Sequence, residues 1–508
     1  MEERRININR IIESLKQSGL FIKAVPMEPA DSTVVNSVTY NSKEASEGTA
    51  FICKGAHFKE EYLKSAIDAG SVCYITEKEY GLGTKECPEI LVSNIRESMP
   101  LIAESFYGRL SDELKVIGIT GTKGKSTTTY YMRYILDDYM ASLKENRTAV
   151  CSGIDNYDGV IDEESHLTTP EIMQLYVHMD NALNSGIKYL TMEVSSQGLK
   201  YDRVETITFE AGAFLNIGKD HISPIEHPNY RDYFESKLKL FKHCRKACYN
   251  LDCEEQDDIR EASKACPHVI TFSRKDSGAN VYACEIESVS GHVSFRAIGK
   301  NIEGYPDFDE IIKLGTFGTI NIENALAAIA MSALLNIPME HIKSGLAKAK
   351  SPGRMEVFYS EDRKRIALVD YAHNKLSYER FFSTIQDEFP GKKIMIVFGC
   401  PGLKALDRRE ELGTIAGKNC SYTIITEEDY GEEDVNKICD EIAVHVEAAG
   451  GSYEIITDRV EAIKKAISLM DDDTILFLPG KGRETREKRG TLYVDTPSDT
   501  DVVSEYLK

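Results

Sequence analysis

Residues 116–129 read VIGITGTKGKSTTT. The apolar residues that open this stretch are typical of a buried parallel strand. Gly121 and Gly124 then allow a tight turn in which the backbone can approach a ligand closely. Lys125 and Ser126 begin a helix, where free backbone N–H groups and the helix dipole favour an anion. In such a loop the lysine reaches the outer phosphates of a nucleotide and the serine hydroxyl binds Mg²⁺.

This stretch departs by one residue from the strict phosphate-loop spacing, because Ile119 stands five residues before Gly124. A strand-to-helix turn without any ligand is therefore an alternative. The strand before the turn and the hydroxyl residues from Ser126 to Thr129 favour a nucleotide site. We predict that this loop binds a nucleotide together with Mg²⁺.

The length and composition limit the class of protein. With 508 residues the chain is too long for a single core, and about three domains are expected. The hydrophobic share of 42% and the charged share of 28% are ordinary for globular proteins. No apolar run approaches the roughly 20 residues that span a bilayer. The formal net charge of −21 argues against a nucleic-acid partner, because such binding requires clustered Lys and Arg.

The N-terminus and the cysteines indicate the cellular compartment. The N-terminal residues MEERR lack the apolar segment of a signal peptide. The 12 cysteines show no disulfide framework, so we expect reduced thiols in a cytoplasmic protein. Cys244, Cys248 and Cys253 lie near His243, but their spacing matches no zinc-binding pattern. We expect neither a membrane nor a nucleic-acid partner.

Three regions differ in their pattern of apolar residues. Residues 1–110 contain short β-like runs and one helical stretch, as in a small α/β module. Residues 111–350 alternate strands with amphipathic helices, which indicates a largely parallel sheet. Residues 351–508 repeat this alternation as a doubly wound, Rossmann-like unit, which binds ligands at the carboxyl ends of its strands. The predicted elements are the strands 34–40, 50–53, 72–76, 189–194, 366–370, 393–398, 422–426 and 474–478 and the helices 62–69 and 324–335.

Two polar segments follow predicted strands of the middle region. Glu193 and Ser195 come at the end of the strand 189–194, where a carboxylate can hold Mg²⁺ through oxygen. Asp220 and His221 follow the apolar run 213–215. Considered singly, Glu193 also fits a surface loop, and a histidine beside an aspartate is more often structural than a ligand. These segments gain weight only in combination.

A lysine lies beside the apolar face of a predicted helix. Residues 230–241 form an amphipathic pattern with Phe234, Leu238 and Phe241 on one face, and Lys237 neighbours that face. A lysine in this position usually extends to water. A buried lysine is costly unless it is paired or chemically modified. The pattern alone leaves both alternatives open.

Taken in order along the chain, these motifs and several others resemble the Mur ligases, most closely their MurE type. The matching segments are GTKGKSTT at 121–128, TTP at 168–170, MEVSS at 192–196, DH at 220–221, YFxxKxxLF at 233–241, NALAA at 324–328, GRME at 353–356, DYAH at 370–373 and GKGxE at 480–484. The resemblance extends from about residue 35 to the C-terminus. It implies a small N-terminal UDP-binding module, a central ATP-binding domain and a C-terminal Rossmann-like domain that binds an amino acid.

The resemblance implies an ATP-dependent amide ligase of peptidoglycan synthesis. In that reaction ATP phosphorylates the terminal carboxylate of UDP-N-acetylmuramoyl-L-alanyl-D-glutamate, and the amine of an amino acid displaces phosphate from the acyl phosphate. The protein contributes positioning and charge neutralisation. The implied partners are these small molecules alone, and we expect a monomer.

The resemblance also implies roles for individual residues at ATP and the metals. The expected ATP contacts are Gly121, Thr122, Lys123, Gly124, Lys125, Ser126, Thr127, Asn324, Arg354 and Asp370. Ser126, Glu193 and His221 are expected to bind Mg²⁺. Lys237 matches a carbamylated lysine of the family, whose carbamate is an anionic oxygen ligand for a second Mg²⁺. The implied catalytic residues are Lys125, Glu193, His221 and Lys237.

A second set of residues is implied for the other two substrates. Those matched to the UDP-sugar are Ser42, Thr168, Thr169, Ser195 and Arg203, and those matched to the amino acid are Lys404, Glu428, Asp429, Gly480 and Glu484. Lys54 and the segment 94–96 also resemble the N-terminal domain of this type. Gln197 stands where many members have histidine, which we regard as a minor departure.

The third region departs from the members that add diaminopimelate. Those members carry Asp-Asn-Pro-Arg after the strand that ends near Thr426, and the arginine holds the distal carboxylate. The matching residues 428–431 contain no arginine, and 402–404 replaces the Gly-Gly-Asp-Arg of those members. The acidic residues 427–429 instead suit a side-chain ammonium, so we predict L-lysine or L-ornithine as the amino acid. A solvated surface loop is the alternative interpretation of these acids.

Two other functions fit parts of the sequence. A divergent paralogue, similar to folylpolyglutamate or cyanophycin synthetases, would join another amino acid to another carboxylate, but those relatives lack the N-terminal module. A catalytically silent nucleotide-binding regulator would have no need of the phosphate loop, Glu193, His221 and Lys237 together. Phosphate release from ATP with and without the UDP-sugar dipeptide distinguishes these alternatives.

Overall fold

The chain folds into two compact units. The computed structural model describes residues 4–26, 33–55, 58–165, 167–218, 222, 226–289 and 291–508. Unit 1 comprises Met1–Tyr282, Gly299–Asp307 and Leu326–Ile342, and unit 2 comprises Ala283–Ile298, Phe308–Ala325 and Lys343–Lys508. Both units combine helices with largely parallel sheets, so the predicted α/β class is confirmed. The predicted domain boundaries at residues 110 and 350 stay predictions.

Unit 1 begins with a small sheet covered by helices. Its elements are β1 (Ile6–Asn7), α1 (Ile8–Gln17), β2 (Phe21–Val25), β3 (Val34–Val35), β4 (Ser37–Thr39), β5 (Thr49–Ile52), α2 (Glu60–Asp68), β6 (Cys73–Thr76), β7 (Glu89–Val92) and α3 (Ile95–Tyr107). The strand order is β2-β7-β6-β5-β4, with β4 to β7 parallel and β2 antiparallel to β7. Helix α1 forms because Asn7 caps it and Ile8, Ile11 and Leu15 recur at helical spacing on its buried side.

A larger sheet follows in the same unit. Its elements are β8 (Lys115–Thr120), α4 (Lys125–Ser142), β9 (Ala149–Cys151), β10 (Asp155–Tyr157), β11 (Asp162–Glu164), α5 (Ile172–Asn184), β12 (Tyr189–Glu193), α6 (Ser196–Lys200), β13 (Phe209–Phe214), α7 (Tyr230–Leu238), β14 (Lys246–Asn250), α8 (Gln256–Ser263) and β15 (His268–Ser273). The order is β11-β10-β9-β12-β8-β13-β14-β15. Because β8 lies between β12 and β13 and is parallel to both, the three strands end at one edge of the sheet.

The remaining elements lead into and complete unit 2. They are β16 (Val281–Val289), β17 (His292–Gly299), β18 (Phe308–Phe317), α9 (Asn321–Leu334), α10 (Met339–Lys348), β19 (Glu356–Tyr359), β20 (Ile366–Asp370), α11 (Lys375–Glu388), β21 (Lys393–Phe398), α12 (Asp407–Asn419), β22 (Tyr422–Ile425), α13 (Val435–Ala448), β23 (Tyr453–Ile455), α14 (Arg459–Leu469), β24 (Thr474–Pro479), β25 (Arg486–Arg489), β26 (Leu492–Asp495) and α15 (Asp499–Tyr506). Strands β16 and β17 and helices α9 and α10 have residues in both units.

The sheet of unit 2 is buried on both faces. Its order is β19-β20-β24-β21-β22-β23, with β20 to β24 parallel and β19 antiparallel at one edge. Alternate residues of one strand enter different cores: Ile394 and Ile396 belong to the core that includes α11 and α13, and Val397 to the core that includes α14 and α15. This burial explains the continuous apolar runs of the sequence. Strands β25 and β26 form a separate antiparallel hairpin.

The element predicted over residues 230–241 changes type before it ends. The α-helix stops at Leu238, and a 3₁₀ helix continues from Lys239 to His243. A 3₁₀ turn is a common way to end an α-helix. Phe234 and Phe241 are both buried, as the apolar pattern predicted. In the described ranges, none of the helices has the length and apolar character that a membrane crossing needs.

Candidate active site

The phosphate loop joins β8 to α4 at the central strand of the larger sheet. Gly124 caps α4 with a φ of +87°, a conformation that glycine adopts far more readily than other residues. A Cβ on Gly121 would lie 2.9 Å from Leu215 Cβ, so only glycine fits there without a shift. No described side chain caps α4, and its first turn holds no acidic residue. The backbone N–H groups of this turn therefore suit an anion.

Two lysine amines converge on one carbonyl of this loop. Lys125 Nζ donates to Gly121 O at 3.1 Å and to Thr122 O at 3.3 Å. Lys237 Nζ, from α7, donates to the same Gly121 O at 3.0 Å. Lys237 is only 1% exposed, and its amine lies 4.8 Å from the centre of the Tyr233 ring. Two lysine amines are thus held against the loop where nucleotide phosphates would bind.

Asn216 holds the phosphate loop in place from the end of β13. Its Oδ1 accepts from Lys123 N and its Nδ2 donates to Lys123 O, both at 2.9 Å. Thr122 Oγ1 accepts from Gly218 N at 3.0 Å and lies 3.0 Å from Tyr233 OH. These contacts fix the loop before any ligand binds. Such preorganisation reduces the cost of ordering the loop on binding.

Glu193 lies at the end of β12, next to the phosphate loop, because Glu193 is paired with Ile119 of β8. It is 2% exposed, and its Oε1 accepts from Gly153 N at 2.8 Å. A Cβ on Gly153 would lie 3.5 Å from Thr168 Oγ1 and 3.6 Å from Glu193 Oε1, so Thr168 faces the same place. Thr169 Oγ1 donates to Glu193 O at 2.9 Å and accepts from Ser195 N at 2.9 Å.

The chemistry of these donors fits Mg²⁺. A buried carboxylate at Glu193 and a buried hydroxyl at Ser126 supply the oxygen ligands that Mg²⁺ prefers. His221 and Asp220 lie outside the described residues. Across the ranges that the structure describes, no three His, Cys, Asp or Glu side chains form a group suited to a metal. Cys244 and Cys248 are free and buried, and burial raises the pKa of each thiol.

A cavity of about 570 Å³ lies beside the smaller sheet of unit 1. Its lining includes Tyr40, Ser42, Lys54 and Gly55 from the N-terminal part and Met173 and Gln174 from α5. At its side, Glu171 forms ion pairs with both Lys54 and Arg203. Arg203 Nη1 also donates to Thr169 O at 3.1 Å. Of the residues predicted for the UDP-sugar, Ser42 therefore lines this cavity, while Arg203 and Thr169 are linked to its side through Glu171.

Unit 2 places a buried carboxylate at the carboxyl ends of its strands. Glu428 follows β22 and is 9% exposed, and its Oε2 would lie 2.3 Å from a Cβ on Gly480, which follows β24. Gly480 has a φ of +108° and donates its N–H to Asp370 O at 3.0 Å. Among the described residues, none forms a hydrogen bond or ion pair with the Glu428 carboxylate. Burial raises the pKa of Glu428 from 4.5 to about 8, although the charges of Arg459 and Lys481 oppose this shift.

Three other acids of this edge lie close to the amine of Lys481. Its Nζ lies 2.8 Å from Glu484, 3.2 Å from Asp429 Oδ1 and 3.8 Å from Glu487. Burial alone would lower the pKa of Lys481, but these carboxylates raise it. Asp429 is further fixed by hydrogen bonds from Lys488 N at 2.7 Å and from its own N–H to Glu487 at 2.8 Å. Glu428 is therefore the acid of this cluster that has no ion-pair partner among the described residues and can bind a further cation.

The other residues predicted in unit 2 have defined places. Arg354 lies over the Tyr371 ring at 4.6 Å, and Asp370 Oδ2 accepts from Met355 N at 2.7 Å. Asn324 Nδ2 donates to Asn321 Oδ1 at 3.0 Å. Lys404 is exposed on the loop after β21. That loop contacts the acidic segment through its backbone, since Gly402 N donates to Asp429 O at 3.3 Å.

Several residues of these sites were not predicted. Glu171 directly follows the segment 168–170, and Asn216 begins the segment that ends at His221, so closeness to a motif could have identified both. Lys481 lies within the matching segment at 480–484, but its pairing with three acids was missed because it depends on contacts with the loop after β22 and with the hairpin β25–β26. The pair Ser196 and His227 is separated by 31 positions and was likewise missed.

Two family profiles match the chain. One, described as Mur ligase middle domain, matches residues 119–332, and the other, described as Mur ligase, glutamate ligase domain, matches residues 353–482. Solved structures with the same fold include a UDP-N-acetylmuramoyl-L-alanyl-D-glutamate--2,6-diaminopimelate ligase (TM-score 0.64, 22% identity, 94% of this chain and 96% of that one). A MurF ligase of Thermotoga maritima in complex with ADP is also similar (TM-score 0.60, 18% identity, 87% and 93%).

Relatives with higher identity match the chain along its whole length. A protein of Streptococcus thermophilus named UDP-N-acetylmuramoyl-L-alanyl-D-glutamate--L-lysine ligase is 35% identical over 99% of this chain and 100% of its own. A protein of Lactobacillus delbrueckii subsp. bulgaricus named UDP-N-acetylmuramyl-tripeptide synthetase is 32% identical, with 98% of each covered. These matches span both the phosphate loop and the acidic cluster of unit 2, and they confirm the resemblance on which the predicted site residues rest. The chain belongs to the Mur ligase family.

Proposed function

We propose that this Mur ligase adds L-lysine to UDP-N-acetylmuramoyl-L-alanyl-D-glutamate with conversion of ATP to ADP and phosphate. The observation that carries the choice of lysine is the buried Glu428 carboxylate, which has no ion-pair partner among the described residues. The relatives named as L-lysine ligases, matched over 99% of this chain, support both the reaction and the amino acid. The ADP complex of a structural neighbour supports the use of ATP.

The reaction proceeds in two displacements. The terminal carboxylate of the UDP-sugar dipeptide attacks the γ-phosphorus of ATP, and the bond to the bridging oxygen breaks to release ADP. The lysine α-amine then attacks the carbonyl of the acyl phosphate, loses a proton and expels phosphate. Each displacement places negative charge near the phosphate loop, and Lys125 supplies a cation there.

The phosphate loop and Glu193 serve ATP and its metal in this proposal. Lys125 moves from the carbonyls of residues 121 and 122 to the outer phosphates when ATP binds, while the N–H groups of α4 hold a phosphate. Ser126 and Glu193 would hold Mg²⁺ through oxygen, with His221 as a further candidate. The metal would neutralise charge on the phosphates. The ATP contacts of Asn324, Arg354 and Asp370 stay predictions.

Lys237 is proposed to be carbamylated in the active enzyme. Its neutral amine would add to CO₂ with loss of one proton, which converts a buried cation into an oxygen anion. Burial favours the neutral amine that this step requires, because an ammonium that is 1% exposed lacks the hydration that stabilises its charge. The carbamate would then serve as an oxygen ligand beside Glu193.

The UDP-sugar is proposed to bind in unit 1. The cavity of about 570 Å³ that Ser42 and Lys54 line is large enough for a nucleobase and ribose. Lys54 and Arg203 are cations that can reach a diphosphate, and Glu171 holds both in place. Thr169 accepts from Arg203 through its carbonyl and donates to Glu193 O through its hydroxyl, so the dipeptide carboxylate would point toward the phosphate loop.

Glu428 is proposed to bind the side-chain ammonium of lysine. Gly480 allows the carboxylate to lie directly against the backbone after β24, and no side chain fits between them. Diaminopimelate carries an additional carboxylate at this end, which would meet the acids at 427–429 and no matching arginine. The loss of two charge-assisted hydrogen bonds at roughly 1.5–3 kcal/mol each disfavours diaminopimelate by about 10²–10⁴-fold.

The decisive experiment measures phosphate release from ATP with the purified protein and a panel of L-amino acids. The proposal requires release that depends on both the UDP-sugar dipeptide and lysine. Release without the UDP-sugar dipeptide, or with a folate substrate in its place, would instead support the divergent paralogue. Complete absence of release with every substrate would support the silent regulator. We further propose a cytoplasmic monomer, since ATP and nucleotide-linked sugars are cytoplasmic metabolites.

A further inference from the structure

A hydrogen-bonded chain of three side chains in unit 1 begins three positions after Glu193, at Ser196. Ser196 Oγ lies 2.9 Å from His227 Nε2, and His227 Nδ1 lies 2.6 Å from Asp232 Oδ2. The same order of groups activates the serine of many hydrolases. Here Ser196 is 4% exposed and His227 is fully buried, so a substrate has no access to the hydroxyl. A nucleophilic role is therefore excluded, and the chain must act on the structure around it.

The chain ties together two segments that carry candidate metal ligands. Ser196 begins α6, three positions after Glu193, and His227 and Asp232 lie at the start of the segment that leads through α7 to Lys237. Two further contacts join the same segments. Lys200 Nζ donates to Asp232 Oδ2 at 2.6 Å and to Glu226 O at 3.1 Å. Helix α6 is thus bonded to both sides of His227.

Helix α7 is also bonded to the phosphate loop. Tyr233 OH lies 3.0 Å from Thr122 Oγ1, and Lys237 Nζ donates to Gly121 O at 3.0 Å. The ring of Tyr233 lies edge-on to His227, with centroids 5.2 Å apart. Helix α7 is therefore linked through His227 to α6, which follows Glu193. It is linked through Tyr233 and Lys237 to the phosphate loop.

We propose that Ser196, His227 and Asp232 are positioning residues that set Lys237 against Glu193 and the phosphate loop. This inference rests on the proposed function, because it assigns the alignment of that site. In a buried network each group depends on its partners, since an unpaired polar group in a low-dielectric interior is costly. Loss of the imidazole leaves Ser196 Oγ without this partner and removes one of the two contacts to Asp232 Oδ2, which keeps Lys200. Helix α7 can then shift relative to α6.

Three variants of His227 separate the effect of its contact with Ser196 from that of its contact with Asp232. His227→Gln places an amide near the Nε2 position and can keep the bond to Ser196. His227→Asn places an amide near the Nδ1 position and can keep the bond to Asp232. His227→Phe keeps the ring shape and loses both bonds. We expect the defect to be largest for phenylalanine and smaller for each amide, and Ser196→Ala should resemble His227→Asn.

The same unit offers a matched control at another buried histidine. His178 Nδ1 lies 2.8 Å from Asp158 Oδ2, and both side chains are buried. Asp158 also accepts from Asn181 Nδ2 at 3.0 Å and belongs to the turn between β10 and β11. Within the described ranges, no hydrogen bond or ion pair joins this pair to α6 or α7. His178→Phe therefore removes a comparable buried bond without disturbing the proposed alignment.

The test uses a binding measurement and a kinetic one. Binding of Mn²⁺ is followed by electron paramagnetic resonance on the full-length protein with a non-hydrolysable ATP analogue, so no turnover is required. Turnover is followed by lysine-dependent phosphate release. For His227→Phe we expect Mn²⁺ affinity and kcat to fall by roughly 10- to 100-fold, as for residues that support metal ligands. KM for the UDP-sugar dipeptide should stay near that of the parent protein.

The control separates positioning from stability. His178→Phe and His227→Phe should lower Tm by similar amounts, but only the His227 variant should lose Mn²⁺ affinity and kcat. Equal losses in both variants, or parental Mn²⁺ affinity and kcat in His227→Phe, would overturn the inference. If His227→Phe does not fold, the Gln and Asn variants and Ser196→Ala give the same comparison. Inactivity of the parent protein would count against the proposed function, whereas the Mn²⁺ comparison would still decide the positioning role.

Discussion

Replacement of Glu428 by glutamine should change the pH dependence of lysine use. The carboxylate must be ionised to hold the lysine ammonium, and burial raises its pKa from 4.5 to about 8. A charge-assisted hydrogen bond contributes roughly 1.5–3 kcal/mol, so the parent protein should exceed Glu428→Gln in kcat/KM for lysine by about 10- to 150-fold when the carboxylate is fully ionised. At about pH 6 only about 1% of the carboxyl is ionised, and the advantage should nearly disappear.

The assay is lysine-dependent phosphate release between about pH 6 and pH 9, expressed as the ratio of kcat/KM for the parent and the variant. This ratio cancels the ionisation of the lysine α-amine, which is common to both proteins. Glu432→Gln is the matched control, because Glu432 is exposed in the same loop and the change in charge is identical. A ratio that is constant over this range, or as large for Glu432→Gln as for Glu428→Gln, would refute the assignment.

The same pKa has a consequence for stability. Because the folded state raises the pKa of Glu428 above its unfolded value, the stabilisation from its protonated form is complete below about pH 4.5 and is lost as the pH rises through about 8. Glutamine stays neutral at every pH. Without ligands, Glu428→Gln should therefore match the parent Tm at low pH and exceed it above about pH 8. A lower Tm for the variant at high pH would show that the carboxylate has a stabilising partner.

Three further substitutions test other parts of the site. Lys125→Ala should abolish ligation with little change in the ligand-free Tm, because the side-chain amine donates to carbonyls of the phosphate loop; near-parental turnover would contradict its role. Lys237→Ala should lose most activity, with partial rescue by small carboxylates or bicarbonate; a bare ammonium at Lys237 in an active, Mg²⁺-loaded crystal would contradict carbamylation. Gly480→Ala should lower kcat/KM for lysine at least 10-fold, because its Cβ would lie 2.3 Å from Glu428 Oε2 and displace that carboxylate. A tenfold loss corresponds to about 1.4 kcal/mol of transition-state binding. An unchanged kcat/KM would refute this contact.

Most helices and strands were predictable, because buried elements show a regular pattern of apolar residues in the sequence. Strands Ile366–Asp370 and Lys393–Phe398 agree with the predicted ranges, since both are continuous apolar runs in a sheet covered on its two faces. The helix predicted over 230–241 was right about its buried face but not about its end. The step from α-helix to 3₁₀ helix at Lys239 leaves Phe241 buried, so hydrophobic periodicity gives no sign of it.

Residues of the candidate site were predictable only where they belong to a recognisable sequence motif. The phosphate loop, Glu193 and Lys237 were identified in this way, and the structure places them at one edge of one sheet. The burial of Glu428 could not be foreseen, because three acids in a loop usually face water. That burial arises from Gly480 and from the hairpin β25–β26, which lie more than 50 positions further along the chain. The alignment of Ser196 with His227 is a tertiary contact of the same kind.

The proposed function requires that this ligase joins lysine to a UDP-linked muramoyl dipeptide. The most direct measurement is a competition in which L-lysine, L-ornithine and diaminopimelate are supplied together at equal concentration with ATP, Mg²⁺ and the UDP-sugar dipeptide, and the tripeptide products are separated by mass. Lysine should be incorporated at least about 100-fold in preference to diaminopimelate, in line with the loss of two charge-assisted hydrogen bonds. A product that contains mainly diaminopimelate would contradict the role of Glu428, and the absence of any tripeptide would contradict the reaction itself.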